Sequence, residues 1–242
     1  NPEDAEILYE LGKAQFRARR FDDARQSFEG AVYLDRTHSR AYYNLGLTYD
    51  RLGNNVKALK AFQDSYAADP TYDAAYYAAA LKLYASGNLQ NAEALLKKAV
   101  SLDSSNARYL RLLGAVQYAA GSLSSAYDSY LSSNQLEPGR ADTNYNLARV
   151  LLDQGKPADA LQYAAAAVQI EGDEASYLFT LGEVSEALGS TQSAIAAYQK
   201  SIQVNPSYID SRINLGILYD ETGQFDKALE QLLQAYKISP DN

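Results

Sequence analysis

Large planar side chains recur through this sequence at a single spacing. Tyr9, Tyr43 and Tyr77 stand 34 residues apart, and the same register continues through Arg111, Tyr145, Phe179 and Ile213. Rings of this kind offer wide contact area at low conformational cost, and tyrosine adds a hydroxyl for a polar partner. That is the chemistry of non-covalent recognition. The groups that covalent catalysis needs are scarce. Cysteine is absent, which removes the thiol nucleophile, the zinc–thiolate cluster and the disulfide framework together. His38 is the only histidine, so no imidazole pair can hold a metal. The glycines are spaced as helix caps and packing positions rather than as a phosphate-cradling loop. Acidic pairs near the C-terminal end fall at helix-face spacing, where carboxylates are ordinarily solvated. The expectation is a protein that is not an enzyme, with no catalytic residue, no cofactor and no metal.

The elements that position the rings repeat with them. A small residue recurs at Gly12, Gly46, Ala80, Gly114, Ala148, Gly182 and Gly216, without one insertion. Twelve residues later comes alanine each time, at Ala24, Ala58, Ala92, Ala126, Ala160, Ala194 and Ala228. Four further on a mostly large residue follows (Phe28, Phe62, Leu96, Tyr130, Ala164, Tyr198 and Leu232), and three beyond it a second small one, such as Ala31 or Ser65. Apolar residues spaced i, i+3, i+4, i+7 mark one helical face, and that face occurs twice per unit, split by a turn. Six of the seven turns carry glycine, Gly53 first among them, to supply a left-handed residue without a Cβ clash. The first has Arg19, which predicts a strained or differently shaped turn. Pro70, Pro138, Pro206 and Pro240 mark the ends of second helices, and Pro157 suits the opening of one.

A period of 34 held in phase through seven units resembles the tetratricopeptide repeat family over nearly the whole chain. The units read as residues 5–38, 39–72, 73–106, 107–140, 141–174, 175–208 and 209–242, forming one solenoid domain over 1–242. The resemblance implies an all-α, right-handed superhelical solenoid of antiparallel helix pairs, with the first helix of each pair lining a concave groove. Tyr42 then belongs to the packing stripe. The ladder of Tyr9, Tyr43, Tyr77, Tyr145 and Phe179 lies roughly 130° away on the groove side, where it either contacts a partner or packs on the neighbouring repeat. Asparagine beside the ladder, which in several family members bonds a bound peptide's backbone, occurs here only as Asn44, Asn146 and Asn214. Co-chaperones of this family grip a C-terminal carboxylate with a set of lysine, arginine and asparagine residues, of which only Asn44 is matched, so that function is disfavoured.

Charge divides along the same face. Arg40, Arg51, Arg108 and Arg111, with Lys13 and Arg17, outweigh Glu6 and Asp50 in the first four units. Glu183, Glu186, Asp210 and Asp220, with Asp142, Asp153 and Glu221, outweigh Arg149 in the last three. The expected groove is bipolar, taking acidic groups at one half and basic groups at the other, and orienting an extended protein segment. The protein is then a scaffold within a larger assembly; the alternative is a self-assembling structural module. A net charge of −8 and an acidic second half argue against nucleic acid. No apolar run approaches the roughly 20 residues a membrane span needs. Cysteine avoidance leans toward an oxidising, extracytoplasmic compartment, with the cytoplasm as the alternative. The last unit carries apolar residues with no further helix behind them, so part of the surface of Leu232, Leu233 and Tyr236 is expected to be uncovered, belonging either to a following segment that has been removed or to a contact with another molecule.

Overall fold

The computed structural model describes residues 2–239, so Asn1 and Pro240 lie outside them. All regular structure among the described residues is α-helical. The chain forms two compact units, residues 1–122 and 123–242.

The first unit holds α1 (Pro2–Arg17), α2 (Phe21–Leu34), α3 (Ser39–Arg51), α4 (Asn55–Ala68), α5 (Asp73–Ala85), α6 (Leu89–Leu102) and α7 (Ala107–Ala119). Successive helices pack on one another, α1 on α2, α3 on α4 and α5 on α6 most extensively. Three-residue turns join the helices of a pair, which is short enough to make the two antiparallel. Asn54 and Asn88 cap α4 and α6 by accepting from the backbone N–H groups of Lys57 and Asn91. The turn after α3 passes through Gly53 at φ +76°, and the turn after α1 through Arg19 at φ +60°. Arg19 therefore takes the same left-handed conformation as the glycines and carries the strain of its Cβ there, the only described residue other than glycine to do so. The turn is strained rather than reshaped.

The second unit holds α8 (Leu123–Leu136), α9 (Ala141–Asp153), α10 (Pro157–Ile170), α11 (Ala175–Ala187), α12 (Thr191–Val204), α13 (Ile209–Glu221) and α14 (Phe225–Ile238). Within it α9 packs on α10, α11 on α12 and α13 on α14. Pro157 opens α10, where its missing N–H costs no helical bond.

In several pairs the small residue of the first helix meets a large residue of the second, and their sizes complement one another. A Cβ added at Gly46 would stand 2.5 Å from Cε1 of Phe62, and one at Gly12 2.7 Å from Cε1 of Phe28. Gly182 stands against Tyr198 in the same way. Where the first helix carries Ala80 or Ala148 instead, the corresponding second-helix residue is Leu96 or Ala164, all buried. The second small position is serine where the buried hydroxyl has an acceptor. Ser65 Oγ donates to the carbonyl of Ser39, and Ser201 Oγ to that of Ala175, each at 2.8 Å. These bonds tie the last turn of a second helix to the start of the first.

Candidate functional site

In the first unit the ladder rings sit on the first helices, α1, α3 and α5. Each one packs against an aromatic ring that opens the next first helix. Tyr9 lies 4.6 Å from His38 and Tyr43 lies 5.2 Å from Tyr72, centroid to centroid. His38 and Tyr72 occupy the N-cap positions of α3 and α5. Tyr77 instead meets Tyr109 in the first turn of α7, at 4.9 Å. Tyr109 Oη donates to Asp73, and burial with that bond holds its phenol well above the usual range. Tyr72 is pushed up to about 12, by burial first and then by the neighbouring phenols of Tyr43 and Tyr9. With their phenols raised, Tyr72 and Tyr109 are neutral at physiological pH.

Positive charge borders the same rings. Arg108 lies over the Tyr77 ring at 5.4 Å, and its charge partly offsets the burial that raises the Tyr43 phenol. Arg40 is exposed at the start of α3 and acts on Tyr72 in the same sense. Lys13 lies over Tyr9 at 4.6 Å and pairs with Glu10. Asp50, an acid of this face, is neutralised by an ion pair with Lys82. Arg51 is exposed at the end of α3, and Arg111 is half-buried on α7. Tyr9 is only 8% exposed, so little of its ring is open; Tyr43 and Tyr77 are half-buried. Asn44 spends its amide N–H groups inside the protein, donating to the Arg40 carbonyl at 2.9 Å and to Tyr9 Oη at 3.4 Å.

In the second unit a concavity of about 260 Å³ opens between α9, α11 and the start of α13. Three rings wall it: Tyr145, Phe179 and Tyr208. Phe179 and Tyr208 stand 5.5 Å apart, while Tyr145 is braced from behind by Tyr177 at 5.0 Å. Three carboxylates face the same space, Asp153, Glu183 and Asp210, together with the guanidinium of Arg149. Arg149 lies 5.6 Å from the Tyr145 ring centroid. Glu183 is half-buried, and its carboxyl is raised to about 7. Loss of solvent is the main cause; Asp153 and Glu186 add to it, while Arg149 and a hydrogen bond with Thr180 oppose it. Around neutral pH this carboxyl is therefore partly protonated. A shallower hollow beside it is lined by Glu183, Glu186, Ala187 and Asn214. There Tyr198 Oη donates to Glu186 at 2.8 Å, and Asn214 Nδ2 donates to Tyr198 Oη. Asn146 is half-buried on α9, and Asp220 is exposed near the end of α13, away from both hollows.

Four sequence-predicted residues, Tyr145, Phe179, Glu183 and Asp210, thus come together in one concavity. The rings that brace the ladder, Tyr72, Tyr109, Tyr177 and Tyr208, were missed. Their signal lies in the sequence: each ladder aromatic is followed by another aromatic 29 or 32 residues on, as Tyr43 is by Tyr72 and Tyr145 by Tyr177. Among the described residues, no group of His, Asp and Glu side chains is arranged to hold a metal ion, and no helix is long and apolar enough to cross a membrane.

One tetratricopeptide repeat model matches residues 1–38, 9–73 and 145–209, and a second model of the same description matches 51–116 and 186–242. None of the curated proteins matches the chain. Among solved structures it is similar to YrrB, a TPR protein with an unusual peptide-binding site, at 26% identity and TM-score 0.65 over 76% of this chain and 95% of that one. It is also similar to pilF of Pseudomonas aeruginosa, at 25% identity and TM-score 0.71 over 84% and 93%. A TPR repeat-containing protein of Cytophaga hutchinsonii shares the fold alone, at 15% identity and TM-score 0.77 over 97% and 96%.

Proposed function

We propose that this chain, which belongs to the tetratricopeptide repeat family, is a non-enzymatic scaffold that binds a protein segment on the faces of its first helices. TPR proteins bind protein or peptide partners, and the similar YrrB has a peptide-binding site. The observation that carries the reading is the pairing of open aromatic surface with unlike charge in the two units. Tyr43 and Tyr77 are bordered by Arg40 and Arg108. Tyr145 and Phe179 are bordered by Glu183 and Asp210. Rings braced by other rings are already ordered, so a partner loses little further entropy in meeting them. The partner carries acidic groups for the first face and basic groups for the second, and its association weakens with salt. Asn44 and Asn214 donate within the protein, which argues against an unbroken asparagine clamp on the partner's backbone.

The test is the Tyr43→Ala/Tyr77→Ala variant, checked for helicity and assayed against partner captured with the intact protein. Affinity should fall by about tenfold or more, the loss of a pair of interface aromatics. A folded double variant with full affinity contradicts the assignment.

A second reading rests on α14. Leu232, Leu233 and Tyr236 are 40%, 48% and 61% exposed, and an apolar notch lies between Ile209, Ile213, Leu232 and Tyr236. Such a surface favours association of copies. Light scattering over a range of protein concentration decides it: a concentration-dependent mass that Leu233→Lys abolishes supports association through α14, and a constant monomer mass removes it.

A further inference from the structure

Resting on that reading, we propose that the concavity between α9, α11 and α13 is a socket for one ammonium group of the partner segment, a lysine side chain or an amino terminus. Size limits the occupant first. About 260 Å³ lies just below the roughly 300 Å³ at which small-molecule pockets begin, which suits one side chain rather than a whole ligand. The lining then selects its chemistry. Aromatic faces attract a cation through the ring quadrupole, and three rings stand here, Tyr145, Phe179 and Tyr208. Three carboxylates face one guanidinium, so the cavity is short of positive charge even with Arg149 in place.

The arrangement favours an ammonium over a second guanidinium. The carboxylates come from three different elements: Asp153 ends α9, Glu183 lies within α11 and Asp210 opens α13. An ammonium presents three N–H donors in different directions, whereas a guanidinium presents a flat fork. Arg149 already lies against the Tyr145 ring and donates to its hydroxyl at 3.4 Å, so that flat position is taken.

Filling the socket is coupled to a proton. The groups acting on Glu183 are Arg149 and Asp153 from α9, Glu186 from its own helix, Tyr198 from α12, and Tyr208 at the N-cap of α13. Asp210 lines the same cavity. A cation brought among them favours the ionised carboxylate, so its arrival expels the proton that Glu183 holds near neutral pH. By linkage, binding tightens as pH rises through about 7.

The experiment follows the Glu183 carboxyl carbon by NMR in glutamate-labelled protein across a pH titration. The probes are acetyl-Gly-Lys-Gly-amide, its norleucine and arginine counterparts, and Gly-Gly-Gly-amide with a free amino terminus. The lysine peptide or the free amino terminus should lower the Glu183 midpoint by about one unit at saturation, and the lysine peptide, whose amine stays charged, should bind about tenfold tighter above the midpoint than below it. Which of the two does so identifies the source of the ammonium. Glu183→Gln should abolish the pH dependence, and the exposed Asp210→Asn should weaken binding without affecting folding. A midpoint unmoved by both amines, or moved equally by norleucine, overturns the proposal, as does an arginine peptide that binds as tightly as lysine. Those failures leave the larger reading intact if partner affinity still depends on Tyr43 and Tyr77. Binding of the short amines at Glu183 stands independently if that dependence is absent.

Discussion

Glu183 carries a measurable cost for the unliganded protein, and its removal can be predicted in sign and size. The carboxyl has an ordinary value of 4.5 and is raised to about 7 in the folded state, chiefly by desolvation. Below the ordinary value it is protonated whether the chain is folded or not, and contributes no difference. As pH rises the unfolded chain ionises first, so the folded state loses relative stability until the folded carboxyl has ionised too, above about 7. A shift of that size corresponds to about 3 kcal/mol at most. The side chain is only half-buried, so solvent screening reduces this to about 1–2 kcal/mol. Glu183→Gln keeps the shape of the protonated carboxyl and abolishes its ionisation. The variant should match the parent near pH 3.5 and exceed it by about 1–2 kcal/mol near pH 8, measured by urea unfolding followed by far-UV circular dichroism. The opposing force is Arg149, which favours the ionised form. If that attraction dominated, the glutamine variant would instead be less stable at pH 8. That result, or a difference independent of pH, refutes the reasoning.

Further substitutions test the packing and the turn after α1. Gly46→Ala puts a Cβ 2.5 Å from a ring of Phe62 that is 1% exposed and has nowhere to swing. Overpacking of about 1–3 kcal/mol should outweigh the ~1 kcal/mol that alanine gains as a helix former, leaving a net loss of about 1 kcal/mol by urea unfolding. Adding Phe62→Leu, which recreates the Ala80 and Leu96 combination, should recover part of it, whereas a stabilised single variant would show that the contact is not tight. Arg19→Gly should stabilise by about 1 kcal/mol, since glycine takes a left-handed φ without a Cβ clash. An unchanged melting temperature would argue against strain at that turn.

The helix pairs were legible because their determinants are local and periodic. Ala24 and its six counterparts, the turn glycines, and the reciprocal sizes at Gly46 and Phe62 all belong to contacts inside one unit of 34 residues. The missing glycine at Arg19 was legible as an anomaly, and the left-handed φ there is its consequence. The ladder was legible only in direction. Helical phase told that Tyr9 and Tyr43 leave the packing stripe, but not how far the next repeat's entry residue covers them, since that depends on the rotation between repeats. Hence Tyr9 is buried under His38, while Tyr43 is only half-buried beside Tyr72. The same holds for Glu183. Its place among the acids was readable, whereas its desolvation depends on the surroundings that α9 and the Tyr208 cap bring to it. Asn44 and Asn214 donate to tyrosine hydroxyls far along the chain, a pairing that helical phase does not reveal.

Contact between a partner and the first helices is tested most directly by hydrogen–deuterium exchange. The chain is compared alone and with its captured partner. Slowed exchange should appear on α3 and α5 around Tyr43 and Tyr77, and on α9 and α11 around Tyr145 and Glu183, with α4, α6 and α10 unchanged. Protection confined to those second helices, or to α14, would contradict it.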